Sequence, residues 1–157
     1  MITEAHIQAV LMGWLLDDKQ HPYIVPNSRE FFRWEADLLS ITKSNLVHEY
    51  EIKLNIYDFK ADAKKRKHFW LGDASYSPAY FWYVTYAFDI EPPEKAGWIL
   101  ITQVNSAYNY GWKLEIKKPA PRLNQWKPDK RRMAQIGRLL TWRLYHQLRK
   151  SYLETDK

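Results

Sequence analysis

The chain has 157 residues, enough for one domain with a buried core, and it contains no cysteine. The lack of cysteine excludes a disulfide framework and a cysteine-ligated zinc site. The net charge is +6, but residues 113–150 carry 12 lysines and arginines against 2 acids, whereas acids outnumber bases in residues 1–112. This asymmetry predicts a polyanionic partner such as nucleic acid, with a merely solvated basic helix as the alternative.

The N-terminal sequence MITEAHIQAVLMGWLLDD lacks the basic start of a signal peptide. No run in the chain approaches the roughly 20 apolar residues that a membrane span needs. We therefore expect a soluble, cytoplasmic protein with no membrane partner. The same N-terminal stretch predicts an amphipathic helix over residues 2–17, capped by Thr3.

Strand and turn patterns follow this helix. Residues 33–42 and 46–54 predict two strands joined by a turn at residues 43–45. Asn55 then resembles the N-cap of a second helix, of about three turns, over residues 56–70. Three further stretches are rich in strand formers: residues 80–88, 96–104 and 111–118.

A long basic helix is predicted over about residues 128–151, beginning at Pro128. The order of elements is helix, strands, helix, strands, helix. This order predicts a single α/β domain spanning residues 1–157, with a mixed central sheet flanked by helices.

Charged side chains interrupt the middle of the two hairpin strands. Asp37 lies on the first strand and Glu51 on the second, so the turn brings them near each other. Glu51 and Lys53 point to the same face, about 7 Å apart. Two facing carboxylates repel, and their burial is costly unless a cation joins them; Mg²⁺ prefers such oxygen ligands. A lysine beside them could activate water or offset charge on a phosphate, so the group suits metal-assisted hydrolysis of a phosphodiester.

Asp37, followed fourteen residues later by Glu51-Ile52-Lys53, resembles the D…(D/E)xK signature of the PD-(D/E)XK phosphodiesterase superfamily. The next segment, DFKADAKKRKH (residues 58–68), resembles a branch from phage, plasmid and bacterial genomes that is labelled as DNA-repair proteins. The resemblance extends over about residues 24–123. Ala36 stands where the full signature has proline, a residue that the superfamily often lacks.

The resemblance implies a restriction-endonuclease-like core and a DNA nuclease that depends on Mg²⁺ or Mn²⁺. It implies that Asp37 and Glu51 bind the metal directly, together with the backbone carbonyl of Ile52. Lys53 would be the catalytic lysine. Some members supply a further acid from the first helix, and Glu4 is the candidate here. The alternative for Glu4 is a first-turn acid favoured by the helix dipole.

Other interpretations of the same residues stay open. Glu35 shares a face with Asp37, and Glu49 shares a face with Glu51, so either could be the metal ligand. These charged side chains could also form cross-strand ion pairs on a wet sheet face. A scaffold of this kind could bind DNA, or a repair or phage protein, without cutting. The basic helix could serve a homodimer interface.

Cations on the second and last predicted helices are expected to bind DNA phosphates, without reading sequence. The candidates are Lys60, Lys64, Lys67, Arg131 and Arg138. The alternative for the second helix is a solvated surface with local ion pairs, such as Asp62 with Arg66.

Overall fold

The computed structural model describes residues 1–62, 64–65, 67–73 and 77–154, without the side chains of residues 108 and 109. The elements in chain order are α1 (Glu4–Asp17), β1 (Tyr23–Ser28), β2 (Ala36–Ile41), β3 (Val47–Lys53), α2 (Ile56–Asp62), α3 (Lys67–Trp70), β4 (Tyr80–Tyr86), β5 (Ala96–Gln103), β6 (Trp112–Lys118) and α4 (Lys130–Tyr152). The chain forms two compact units, residues 1–127 and 128–157. The expectation of a single domain over residues 1–157 stays a prediction.

One mixed sheet of six strands forms the centre of the first unit, in the spatial order β1-β2-β3-β4-β5-β6. The strands β1, β2 and β3 form an antiparallel meander, and β6 is antiparallel to β5. The strands β3, β4 and β5 are parallel. The helices α2 and α3 lie in the crossover between β3 and β4, and residues 87–95 connect β4 to β5. The α/β class and the mixed sheet flanked by helices are therefore confirmed.

The β2–β3 hairpin has the turn that the sequence predicts. Asn45 adopts a left-handed backbone conformation (φ 63°), which asparagine tolerates well. The Leu46 amide donates to the Thr42 hydroxyl at 3.0 Å, and the Thr42 amide donates to the Leu46 carbonyl at 3.0 Å. These local contacts fix the pairing register, which decides which side chains of each strand share a face.

Helices cover both faces of the sheet. On one face, α1 packs its apolar stripe against the even-numbered side chains of β2 and β3; the buried members are Ile7, Leu11, Leu15, Leu38, Tyr50 and Ile52. On the other face, Ile56 and Phe59 of α2 pack against Phe81 and Tyr83 of β4. The sheet therefore has apolar material on both faces, and a charged side chain on β3 cannot reach open solvent easily.

The close approach of the chain to β5 requires a glycine. Gly97 pairs with Trp82 on β4. A Cβ at Gly97 would lie 2.5 Å from the Trp82 ring and 2.7 Å from the backbone nitrogen of Ala120. Because the Ala120 contact is with backbone, no side-chain rotation could relieve it.

The second predicted helix is wrong in one respect. Asn55 caps its start as predicted, since Asn55 Oδ1 accepts from the Asp58 amide at 2.9 Å. Instead of one helix of about three turns, however, there are two short helices, α2 ending at Asp62 and α3 beginning at Lys67. Positions 62 and 67 of an unbroken helix would point about 140° apart. The interruption lets Asp62 turn toward Lys53 and Lys67 turn toward Glu51, two residues on the same face of β3.

The second unit contains the basic helix α4, whose predicted position is confirmed to within two residues at its start and one at its end. Asp129 is its N-cap, and its carboxylate accepts from the Arg132 amide at 2.8 Å. Arg131 and Arg138 are exposed. None of the helices in the described part of the chain is long and apolar enough to cross a membrane.

Candidate active site

The hairpin places Asp37 and Glu51 next to each other. Leu38 on β2 pairs with Tyr50 on β3. Asp37 and Glu51 are each one residue farther from the turn, so they lie opposite each other on the two strands, and their side chains point to the same face of the sheet. Lys53 follows two residues along β3, on that face. Glu51 and Lys53 are buried, with exposed fractions of 4% and 6%, and Asp37 is half-buried. The three residues of the predicted signature are thus brought together.

Asp37 also contacts the backbone between the other two residues. Its Oδ2 accepts a hydrogen bond of 2.8 Å from the Ile52 amide. The N–H and C=O of one strand residue point to the same side. The Ile52 carbonyl therefore points toward the side of β3 on which Asp37 lies, as its expected role requires.

Around Glu51 lies a group of ionisable side chains, which we call the carboxylate–lysine cluster: Glu49, Glu51, Lys53, Asp62, Lys65 and Lys67. All of them are buried except Lys65, which is exposed. Lys53 Nζ donates to Glu51 Oε1 at 2.7 Å, and Lys67 Nζ donates to Glu51 Oε2. Lys67 Nζ also lies 3.8 Å from Glu49 Oε1. Because each acid faces at least one ammonium group, the charges can be buried at a tolerable free-energy cost.

Asp62, the last residue of α2, is completely buried and joins several elements. Its Oδ1 lies 3.2 Å from Lys53 Nζ and 2.9 Å from Lys65 Nζ. Its Oδ2 accepts from the Tyr83 hydroxyl at 2.6 Å and lies 3.0 Å from His68 Nε2. Burial alone would raise the pKa of Asp62, but these hydrogen bonds and the charge of Lys67 hold it well below its usual value.

The pKa of Asp37 moves in the opposite direction. Burial and the neighbouring charge of Glu51 raise it to about 7, with a smaller contribution from Glu4, although the Ile52 amide and Lys53 partly oppose the rise. The carboxylates of Asp37 and Glu51 therefore repel each other across the hairpin. A cation shared between them would relieve this repulsion.

Glu4 lies near the site, at the start of α1. Gln8 of the same helix donates to the backbone carbonyl of Asp37 at 2.8 Å, and the Gln8 amide lies 3.5 Å from Glu4 Oε1. Glu35, by contrast, is exposed and forms a surface ion pair with Arg29 at 2.9 Å. Of the alternative acids, Glu4 and Glu49 are thus close to the predicted ligands and Glu35 points elsewhere.

The expected DNA-binding cations of the second helix divide into two groups. Lys60 and Lys64 are exposed, as expected. Lys67 is buried within the carboxylate–lysine cluster, because the interruption between α2 and α3 turns it toward Glu51. Arg66, which would pair with Asp62 in the alternative interpretation of this helix, lies outside the described residues.

The sequence interpretation missed the position of Asp62 and its contacts with His68 and Tyr83. Asp62 lies four residues after Asp58, which is typical of an exposed helix face. One signal could have indicated otherwise: Asp62 is the single acid in residues 59–72, surrounded by lysines and an arginine. An isolated acid among cations next to a buried acidic strand suggests a charge network.

The donor atoms fit a hard divalent cation. Two carboxylates and one backbone carbonyl are oxygen ligands of the kind that Mg²⁺ and Mn²⁺ prefer. Among the described residues, however, no group of three or more histidine or acidic side chains could hold a metal ion. Both oxygens of Glu51 also accept hydrogen bonds from lysines. The fit therefore rests on Asp37, Glu51 and the Ile52 carbonyl alone.

Comparisons with known proteins extend only to the fold. No protein-family model and no curated protein matches the sequence. The chain is similar to a solved structure, the SPO1766 protein of unknown function from Silicibacter pomeroyi, with 18% sequence identity and a TM-score of 0.62. The match covers 96% of this chain and 92% of that chain. At this level of identity the two proteins share a fold, and nothing follows about activity.

Proposed function

We propose that this chain is a metal-dependent DNA nuclease of the PD-(D/E)XK type, with a restriction-endonuclease-like core. One observation carries the proposal: Asp37, Glu51 and Lys53 lie together on one face of the β2–β3 hairpin, where the two carboxylates repel. A mixed central sheet flanked by helices supports it, because this is the architecture that the resemblance implies.

In the proposed reaction, Asp37, Glu51 and the Ile52 carbonyl would hold Mg²⁺ or Mn²⁺. When bound, such an ion polarises a phosphate oxygen and lowers the pKa of its water. The ammonium group of Lys53 donates a hydrogen bond to the attacking water or to a phosphate oxygen, and it offsets the negative charge that develops there.

The proposed substrate is DNA, bound through its backbone. Lys60 is exposed on α2, and Lys64 is exposed just after the end of that helix. The side chain of Lys65 is 54% exposed, although it also contacts Asp62. Arg131 and Arg138 supply exposed cations on α4. Contacts of this kind bind phosphates at any sequence and weaken steeply as salt rises.

A second candidate function is DNA binding without cleavage, in support of repair or of a phage or other mobile element. The observation that favours it is the engagement of Glu51. Lys53 and Lys67 both donate to this carboxylate, so a metal ion must compete with two buried ammonium groups. If the two lysines stay bound to Glu51 and no metal ion binds there, the protein would bind DNA without cleaving it.

The deciding experiment uses a labelled panel of single-stranded, duplex, flap and branched DNA, incubated with the protein in Mg²⁺, Mn²⁺ or EDTA. Lys53→Ala is the test variant. Glu35→Gln is the matched control, since it neutralises an exposed acid of the same region that pairs with Arg29 at the surface.

Metal-dependent cleavage by the wild type and by Glu35→Gln, lost in Lys53→Ala, is the result we expect. If no substrate is cut in either metal, while DNA binding persists in EDTA, the nuclease proposal fails and the binding function takes its place.

A further inference from the structure

We infer that Asp62 is a positioning residue that holds the ammonium group of Lys53 in place for the reaction. Asp62 is not part of the signature formed by Asp37, Glu51 and Lys53, and it reaches the site from α2. The role of Asp62 in cleavage rests on the proposed nuclease function. The effect of Asp62 on the mobility of the Lys53 ammonium group can be measured without any cleavage assay.

The first argument is the geometry of Lys53. An ammonium group has three N–H donors in fixed directions. Among the described residues, Lys53 Nζ lies 2.7 Å from Glu51 Oε1 and 3.2 Å from Asp62 Oδ1. Two carboxylates fix the rotation of the group, so the direction of the third N–H is also fixed. That N–H is the donor available to a water or phosphate oxygen.

The second argument is the rigidity of Asp62 itself. The side chain is completely buried and accepts from the Tyr83 hydroxyl at 2.6 Å. His68 Nε2 lies 3.0 Å away and Lys65 Nζ 2.9 Å away. Tyr83 lies on β4 and His68 on α3, so Asp62 is held from two further elements of the fold. Groups held in this way can orient a catalytic side chain without reorganisation during the reaction.

The third argument is the charge around Lys53. Two other lysines also contact Glu51. Lys65 Nζ lies 3.6 Å from Glu51 Oε1, and Lys67 Nζ donates a hydrogen bond to Glu51 Oε2. Three ammonium groups near one carboxylate repel one another. Asp62 contributes the second negative charge that lets Lys53 stay beside Glu51.

The test combines a spectroscopic measurement with kinetics. The NMR measurement is the rate of hydrogen exchange at the Lys53 ammonium group, observed through its ¹⁵N signal. The signal is assigned by its absence in Lys53→Ala. A slower exchange rate means that the ammonium group is held more tightly. Asp62→Asn removes the charge at nearly constant shape, and Tyr83→Phe removes one donor to Asp62. Asp58→Asn is the matched control, because it makes the same change on the same helix at an exposed position.

We expect Asp62→Asn to accelerate exchange at Lys53 and to lower the single-turnover cleavage rate about 10–100-fold, as is common for groups that orient reacting residues. The dissociation constant for DNA should change by less than about twofold, since only a transition-state interaction is lost. Tyr83→Phe should cause a smaller change in both readouts, and Asp58→Asn none.

An unchanged Lys53 signal in folded Asp62→Asn overturns the inference. If Asp62→Asn does not fold, Tyr83→Phe decides the question by the same signal, and an unchanged Lys53 signal there also overturns it. If the wild type cuts no DNA, the nuclease proposal fails, and the exchange measurement still decides whether Asp62 holds Lys53.

Discussion

The indole Nε1 of Trp34 donates a hydrogen bond of 2.8 Å to Oε1 of Glu49, whose other carboxyl oxygen is buried without a partner among the described residues. Burial raises the pKa of Glu49 to about 8, although the charge of Lys67 opposes the rise. The folded protein therefore favours the protonated form of this side chain at neutral pH.

We predict that stability falls between pH 6.5 and 8. Glu49 loses its proton near pH 4.5 in the unfolded chain and near 8 in the folded protein. Over that interval the unfolded state binds fewer protons, so the free energy of unfolding decreases as pH rises. Between pH 6.5 and 8 the loss from Glu49 should be about 2 kcal/mol. Asp37 adds a loss of the same sign up to about pH 7.

Urea unfolding in EDTA at several pH values measures this loss, and Glu49→Gln should flatten most of it. Glu35→Gln should keep the wild-type slope. The lower limit of pH 6.5 separates this effect from His48, whose pKa burial lowers to about 3. His48 increases stability mainly as pH rises from about 3 to 6.5. Above pH 6.5 it opposes the predicted loss by only about 0.4 kcal/mol, as the unfolded imidazole loses its remaining proton. An identical slope in Glu49→Gln would show that another group is responsible.

Trp34→Phe should destabilise the protein by about 1–3 kcal/mol, because it leaves a buried carboxyl group without its donor. The stack of Trp34 between Phe32 and Trp70 is retained in part by the phenyl ring. Trp142→Phe is the control, since Trp142 is 55% exposed, and it should change stability by less than about 0.5 kcal/mol. Equal effects of the two substitutions in thermal unfolding would contradict the assigned role of the hydrogen bond.

Asp37→Ala and Glu51→Ala should weaken Mn²⁺ binding more than Lys53→Ala does, because the proposed ligands are the two carboxylates. All three variants should lose cleavage. Calorimetric titration with Mn²⁺ measures the affinity, and circular dichroism checks that each variant is folded. Normal cleavage by all three variants would mean that the site lies elsewhere.

Gly97→Ala should destabilise the protein by about 1–3 kcal/mol, the usual cost of overpacking. Its new methyl group would collide with Trp82 and with the backbone of Ala120. Gly137→Ala makes the same change within α4, where a Cβ meets nothing within 4 Å. It should stabilise by about 0.5–1 kcal/mol through helix propensity. Thermal unfolding of both variants should therefore give shifts of opposite sign.

Arg131→Ala and Arg138→Ala should each weaken DNA binding at all sequences and reduce the slope of log K against log salt by about 1. Arg29→Ala is the matched control, because it removes one exposed cation that pairs with Glu35. Fluorescence anisotropy at several salt concentrations gives the slopes. If the α4 variants and the control behave alike, α4 does not contact DNA.

Local signals account for what the sequence predicted correctly. The β2–β3 hairpin depends on Asn45 and on the alternation of side chains along each strand, and the start of α2 depends on Asn55. Each of these signals lies within a few residues of the element that it defines. The shared face of Asp37 and Glu51 follows from the hairpin without further information.

The interruption between α2 and α3 could not be predicted in the same way. At this point Asp62 contacts Lys53 and Lys67 contacts Glu51, and these contacts depend on how the helices pack against β3. The Tyr83 hydroxyl, which holds Asp62, lies on a strand that begins 18 residues later in the chain. Propensity favours a continuous helix here, and the tertiary charge network overrides it.

The carboxylate–lysine cluster occupies a part of the fold that apolar side chains could also fill. Replacing a buried ion network with well-packed apolar side chains of similar volume is often neutral or stabilises a protein by about 1–4 kcal/mol. Drift under selection for folding alone would therefore tend to replace Glu49, Glu51 and Lys53 with residues such as leucine and valine. Glu49, Glu51 and Lys53 nevertheless lie in a strand that is buried on both faces, and the activity proposed above would account for them through the usual balance between stability and activity.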